Sequence, residues 1–281
     1  MKVISTEYSQ ILGARIAGRL NLGVVDVRFS KFPDGELFLR TGALDDEMVV
    51  VGAVTNSNAL VQLLLLIDAC SDREIRLVLP YMGYARQDKQ FHEGEPLSAR
   101  AIARAVAHGA QSVITVNIHD EAVLQHFGLP TMNLSVGKDI GLHLKKTLSD
   151  PIILAPDDGA RYFAAQVASS TGWEYDHLEK VRLSGDSVRI APKDLKVSGR
   201  EVVIVDDIIS TGGTIATAAG MLRDQGAKRV TAACVHGIFT GGAYTHLASA
   251  GIRAVICSDT IERASSEVSA ADVIVRAIQE T

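Results

Sequence analysis

The chain is predicted to be an α/β protein of two tandem domains, each a largely parallel sheet flanked by helices. Three features of its 281 residues predict this. Apolar, β-branched runs recur about every thirty residues with helical patterns between them. The runs are continuous rather than alternating, as in parallel sheets covered on both faces. Laying Val49 and Val50 on Val202 and Val203 also superposes strand, turn and helix patterns, and pairs Ser57 with Ser210 and Arg76 with Arg229. A duplicated domain accounts for this repeat. The domains are expected at 1–140 and 141–281, with the last helix packing on the first.

A helix pattern over Glu7–Arg19 opens the chain, and VVVGAV marks a strand at Val49–Val54. Helix Asn58–Ala69 follows; its apolar stretch Val61–Ile67 is far too short to span a bilayer. Strand Ile75–Pro80, helix Ser98–Ala107 and strand Ser112–Ile118 complete the first half. The second half reads as strand Ile152–Pro156, helix Ala160–Ser170, strand Val202–Asp206, helix Thr214–Gln225, strands Val230–His236 and Ala254–Ser258, and helix Ala271–Gln279. No low-complexity linker interrupts the alternation.

A chain of this length with 47% hydrophobic residues buries a sizeable core. Its formal net charge of −5 offers no basic field for nucleic acid or an anionic membrane. Acidic loops would suit Mg²⁺. Cys70, Cys234 and Cys257 lie far apart in apolar patterns, which predicts buried thiols. The opening MKVISTEYSQ lacks the apolar stretch of a signal peptide, so a cytoplasmic location is expected.

The most telling run is VVIVDDIISTGGTI, Val202 to Ile215. Asp206 and Asp207 end an apolar strand and can accept hydrogen bonds from a vicinal diol. Ser210, Thr211, Gly212, Gly213 and Thr214 offer small side chains and backbone N–H groups that can close around a phosphate. The following helix adds the positive end of its dipole. One loop can therefore hold the hydroxyls and the 5-phosphate of a ribose 5-phosphate unit. Two adjacent carboxylates would be a costly accident in a plain βα turn. In the first copy Ala53 and Val54 stand where the aspartates stand in the second, and the glycine turn is gone. That copy should not bind ribose phosphate in the same way.

Neither G-x-x-x-x-G-K-[ST] nor G-x-G-x-x-G is present. Two other runs remain. Phe32-Pro33-Asp34-Gly35-Glu36 is locally a hairpin turn, although Phe32 could stack on a base while Asp34 and Glu36 accept from its amino group or order cations. In Tyr84-Ala85-Arg86-Gln87-Asp88-Lys89, Arg86 is a planar cation for a base or phosphates, and Gln87 both donates and accepts.

FPDGE, YARQDK, the histidine of VNIHDE, PDDGA and VVIVDDIISTGGT occur here in order. From Phe32 to Val235–Gly242 (VHGIFTGG) the chain resembles the ribose-phosphate pyrophosphokinases, also called phosphoribosyl pyrophosphate synthetases. The resemblance implies two type I phosphoribosyltransferase-like domains. It implies transfer of the pyrophosphate of ATP to the 1-hydroxyl of ribose 5-phosphate, with Mg²⁺ and a homo-oligomer of at least two subunits that share ATP sites.

Carried over by position, Phe32, Asp34, Gly35 and Glu36 contribute to the ATP site, as do Arg86, Gln87 and Asp88. His119 and Asp157 fall on metal-linked positions; the residues alone do not separate Asp157 from Asp158, although the family spacing favours Asp157. Lys180 and Arg182, before the polar turn Ser184-Gly185-Asp186-Ser187, match the catalytic basic pair, and Arg182 also reaches ribose 5-phosphate. Alternate positions of a strand face one side, so both cations could close over a pyrophosphate. Asp206, Asp207 and Ser210 to Thr214 would hold ribose 5-phosphate.

Gln90 to Pro96 lacks the basic residues of bacterial members and looks like the archaeal form. The ADP-linked site of bacterial members is therefore not carried over. Two other functions share some of these features. One is a phosphoribosyltransferase that consumes phosphoribosyl pyrophosphate; FPDGE, RQDK and the altered first copy weigh against it. The other is a non-catalytic subunit associated with a synthetase, which should have lost Lys180, Arg182, His119 or the loop aspartates.

Overall fold

The computed structural model describes residues 1–182, 188–190 and 196–280. They form two compact units. The first comprises Met1–Ser135, Thr260–Glu262 and the chain from Ser269 onward; the second comprises Val136–Asp259 and Arg263–Val268.

The first unit holds a sheet in the order Gly23–Val24, Lys2–Ser5, Glu47–Val51, Glu74–Leu79, Ser112–Val116, Thr131–Leu134, with every pairing parallel. The second unit repeats the plan with Tyr175–His177, Ile152–Ala155, Glu201–Ile209, Arg229–Gly237, Val255–Ser258 and Ser266–Val268. In each sheet the second strand of the chain lies at an edge with the first beside it, and the rest follow in sequence. Each unit also inserts an antiparallel hairpin before its central strand: Val27–Lys31 with Leu37–Thr41, and Lys180–Arg182 with Val188–Ile190. This shared topology is what a duplicated domain leaves behind.

The ladders correct the ungapped repeat. Arg76 lies opposite Val49, but Arg229 lies opposite Glu201, and Val202 faces Val230. Overlaying Val49 on Val202 therefore places Arg76 on Val230. Because side chains alternate between faces, a one-residue slip changes the face presented. The ungapped match thus fails between one strand and the next.

Each sheet supports its own core. Leu63, Leu66, Ile75, Leu77, Leu79 and Val106 pack together in the first unit, and Leu154, Ile204, Ala218, Leu222 and Leu247 in the second. The final helix, Ala271–Glu280, belongs to the first unit: Arg19 Nε donates to Asp272, and Arg76 donates to the Ile278 carbonyl at 3.0 Å. All three cysteines are buried and free. No helix among the described residues is long and apolar enough to cross a membrane.

Several element ends differ from expectation. The strand expected to reach Val54 stops at Val51, and Val54 makes an isolated bridge to Met82. The strand expected to reach Ile118 stops at Val116, because Asn117 takes a φ of 42° that no ladder accommodates. The first helix begins as a 3-10 turn at Glu7–Ser9 before the α-helix Gln10–Leu20.

Helices Gly137–Leu144 and Arg161–Ser169 approach closely through Gly141, where a Cβ would run into the Val167 carbonyl oxygen and Ser170 Oγ. Backbone cannot move aside as a flexible side chain can. Gly141→Ala should therefore cost about 1–3 kcal/mol, the usual range for overpacking, seen as a lower denaturant midpoint with an unchanged slope.

Candidate active site

The central strand of the second unit runs from Glu201 to Ile209, so Asp206 and Asp207 lie inside the ladder rather than at its end. Asp206 is opposite Cys234, and pairing continues through Ile208 and Ile209. The neighbouring strand Ile152–Ala155 ends two residues before Asp157. The sheet order reverses between these two strands, and their carboxyl ends open the crevice in which α/β sheets bind ligands.

Both aspartates are half-buried. The Asp207 amide donates to Asp206 Oδ1 at 2.9 Å. Burial, first of all, pushes the Asp206 carboxyl well above the usual carboxylate range, and the charges of Asp207 and then Asp157 push it further. The Asp207 amide bond opposes these effects without cancelling them. Asp157 thus belongs to the electrostatic neighbourhood of Asp206. Asp158 instead lies 3.8 Å from His177 Nε2.

The cradle beyond the strand is built by backbone conformation. Gly212 has a φ of 77° and caps helix Gly213–Asp224 with no side-chain hydrogen bond to its first-turn amides. A Cβ at Gly212 would also lie 3.0 Å from Leu247 Cγ, so glycine is needed both for φ and for space. Free first-turn N–H groups at the positive end of a twelve-residue helix form an anion site. Thr240, which follows strand Arg229–Gly237, closes one side: its amide donates to the Ser210 carbonyl at 3.1 Å and its hydroxyl lies 3.3 Å from Ser210 Oγ. Arg263 braces that loop by donating to the Gly237 and Ile238 carbonyls, both at 3.1 Å.

Lys180 and Arg182 occupy alternate positions of strand Lys180–Arg182, paired with Val188–Ile190. The turn Ser184 to Ser187 lies outside the described residues.

In the first unit the corresponding strand end is tied to the chain around it. Ser9 Oγ accepts from the Ala53 amide at 2.9 Å, and Gln62 Oε1 accepts from the Glu7 amide at 2.8 Å. A Cβ at Gly52 would meet Leu63 Cδ1 at 2.6 Å and Thr6 Cγ2 at 3.0 Å.

The first unit's sequence-predicted residues form two groups. Phe32 to Glu36 closes the hairpin: the Phe32 amide donates to Glu36 O at 2.8 Å, the Glu36 amide donates to Asp34 Oδ1 at 3.2 Å, and Gly35 has a φ of 96°. Phe32 stays half exposed, edge-on to Phe38 at 5.6 Å between centroids. The second group joins the RQDK loop to His119. The Ala122 amide holds the Asp120 carboxyl below its usual range, helped by Asp88, Lys89 and His119 around it. Arg86 is exposed, whereas Gln87 is committed locally, accepting from Ser98 Oγ through its side chain and from the Ala99 amide through its carbonyl. No hydrogen bond or ion pair among the described residues links the hairpin to Arg86–Asp88. Sequence reasoning missed Thr240, Ser98 and Asp120. For Thr240 the signal was VHGIFTGG, a second hydroxyl-glycine run quoted without a role.

Among the described residues no three His, Cys, Asp or Glu side chains converge as a ready-made metal cage. Carboxylates such as Asp157 and Asp206 are the hard oxygen donors that suit Mg²⁺, which keeps water and takes phosphate oxygens for the rest of its ligands.

Residues 1–108 match the family model for the N-terminal domain of ribose phosphate pyrophosphokinase, and residues 138–271 match that of the phosphoribosyl transferase domain. The chain is 46% identical to the ribose-phosphate pyrophosphokinase of Methanosarcina mazei, over 99% of this chain and 95% of that protein. It is 42% identical to that of Methanopyrus kandleri, over 99% of each. The crystal structure of phosphoribosylpyrophosphate synthetase from Mycobacterium smegmatis superposes with a TM-score of 0.84 at 27% identity, over 99% of this chain and 97% of that one. Fold and family match thus define a phosphoribosyltransferase-like α/β protein whose two units share one topology. The chain belongs to the ribose-phosphate pyrophosphokinase family.

A carboxyl whose folded value is raised binds its proton more tightly in the folded protein. Stability is then greatest below the unfolded carboxylate range and falls as pH rises through the raised value. Asp206→Asn should therefore raise the melting temperature of the ligand-free protein at neutral pH. The gain should shrink as the pH is lowered until Asp206 is protonated. Thermal denaturation of both proteins across pH measures this.

Proposed function

We infer that the protein is a ribose-phosphate diphosphokinase that transfers the pyrophosphate of ATP to the 1-hydroxyl of ribose 5-phosphate, giving 5-phosphoribosyl 1-pyrophosphate and AMP. The observation that carries the reading is the central strand of the second unit, whose Asp206 and Asp207 lead into a helix N-terminus with no side-chain cap. Full-length similarity to named ribose-phosphate pyrophosphokinases supports it.

In this reading Asp206 and Asp207 accept hydrogen bonds from the ribose 2- and 3-hydroxyls, while Ser210, Thr211, Gly212, Gly213 and Thr214 enclose the 5-phosphate. Two fixed ends leave the anomeric hydroxyl one orientation, which converts much of the entropy cost of reaction into binding. The 1-oxygen forms a bond to the β-phosphorus as the bond from that phosphorus to the α,β-bridging oxygen breaks. AMP keeps that oxygen and the hydroxyl proton is released to solvent. Phe32, Asp34, Gly35, Glu36, Arg86, Gln87 and Asp88 hold ATP. Lys180 and Arg182 offset charge that grows on the transferring group, and Arg182 also meets ribose 5-phosphate. Mg²⁺, with His119 and Asp157 as its linked residues, supplies charge neutralisation on the polyphosphate when bound. The half-exposed Phe32 and Phe38 of the hairpin suit contact with a second copy, so a homo-oligomer of at least two subunits is part of the proposal.

Release of AMP from ATP only when ribose 5-phosphate is present tests the reaction. AMP-independent consumption of phosphoribosyl pyrophosphate with a base would favour a phosphoribosyltransferase instead. Lys180→Ala should lower kcat by more than about 100-fold with ATP affinity little changed, the scale of losing one transition-state donor. Asp207→Asn should raise KM for ribose 5-phosphate by about tenfold or more, as expected for a hydrogen bond to a charged group, and leave KM for ATP nearly unaltered. Steady-state kinetics with each substrate varied reads both.

A further inference from the structure

The two units share one more device, a side-chain tie between two loops. In the first unit Ser57 Oγ lies 2.8 Å from Tyr84 Oη. In the second, Ser210 Oγ lies 3.3 Å from Thr240 Oγ1. Each tie joins the loop or helix start after the central strand to the loop after the next strand, and Ser57 and Ser210 are the pair that the sequence repeat aligned. Both second loops also carry an aromatic residue in the left-handed region, Tyr84 at φ 67° and Phe239 at φ 49°. A bulky side chain there is strained and persists only where its surroundings hold it.

In the first unit the surroundings are explicit. The Val54 amide donates to the Tyr81 carbonyl at 2.8 Å, and the Gly83 amide donates to the Val54 carbonyl at 2.9 Å. Glycine is required at 83, because a Cβ would run into the Val54 carbonyl oxygen. The turn then continues with the Gln87 amide on the Tyr84 carbonyl at 3.2 Å, and Gln87 is anchored to Ser98 and Ala99. Arg86 sits exposed between the buried Ala85 and the clamped Gln87.

We propose that the altered ribose loop of the first unit, Val54 to Ser57, has become the platform that holds the Arg86–Asp88 loop in its ATP-binding shape. Tyr84 is its positioning residue, and Thr240 plays the matching part for the phosphate cradle of the second unit. Neither side chain touches the reacting atoms. The assignment rests on the division of substrates given above, ATP to the first unit and ribose 5-phosphate to the second.

The test is a crossed comparison. Tyr84→Phe and Ser57→Ala each remove one end of the first tie and should raise KM for ATP about three- to tenfold, the scale of one net hydrogen bond. In both, kcat and KM for ribose 5-phosphate should stay within about twofold of wild type on that scale. Combining the two should add little beyond either alone, because they break the same bond. Thr240→Ala should do the reverse, raising KM for ribose 5-phosphate alone, and Thr240→Ser should restore it. Calorimetry with ATP and Mg²⁺ in the absence of ribose 5-phosphate repeats the first half without turnover. Weaker ATP binding in both first-unit variants supports the platform even if the assigned reaction proves wrong. Equal shifts for both substrates, additive effects, or unchanged ATP binding in both first-unit variants would overturn it.

Discussion

Carboxylates held together against their own repulsion are the constraint around which the second unit is arranged. Asp206 is pressed by burial, by Asp207 next to it and by Asp157 just past the adjoining strand, and one amide hydrogen bond returns only part of that cost. A raised carboxyl makes such a cluster tolerable, and hydroxyl donors or a cation would relieve it. The surrounding elements suit such a ligand. The parallel ladder carries the aspartates to the sheet's switch point, Gly212 turns the chain over Leu247, and the uncapped helix supplies donors where a phosphate would sit.

The first unit shows what the same topology becomes when the constraint is lifted. With Ala53 and Val54 in place of the acids, the Ala53 amide bonds to Ser9 and the Glu7 amide to Gln62. The loop after the next strand bonds to Val54 through Tyr81 and Gly83 and leaves Arg86 exposed. The two units are scaffolds of one topology, and they differ where the chain leaves the central strand: Ala53 and Val54 in the first, Asp206 and Asp207 in the second.

Much of this was legible in the sequence because it follows from local chemistry. Continuous apolar runs identified the parallel core strands, and Asp206, Asp207 and the glycine turn could be read from residue type and spacing alone. What was not legible depended on distant partners. Strands such as Thr131–Leu134 and Tyr175–His177 are short and only partly buried, so they carry little hydrophobic pattern. The end of the central strand was misjudged because pairing with His236 and Gly237 carries the ladder past two acids that would ordinarily stop it. Thr240 joins Ser210 only through the fold, at a separation of thirty residues. Gln87 reads as a recognition side chain in sequence, but its oxygen is already occupied by Ser98.

The charge balance says how such a site can attract its ligands. A protein of net charge −5 gains nothing from its overall field when the ligands are themselves anions. At physiological ionic strength that field fades over about 8 Å in any case, so recognition has to be short-ranged. Oriented amides at a helix start act within the first turn and add no titratable charge. A divalent cation bound with a nucleotide would act as strongly. In the proposed reading the acids then serve a double purpose, since the carboxylates that would repel a bare phosphate would receive the sugar hydroxyls and the ion accompanying the phosphate. Acidic composition is therefore compatible with binding two phosphorylated substrates, provided that the donors are backbone and rigid. The twin hydroxyl ties at Tyr84 and Thr240 provide that rigidity without adding any charge.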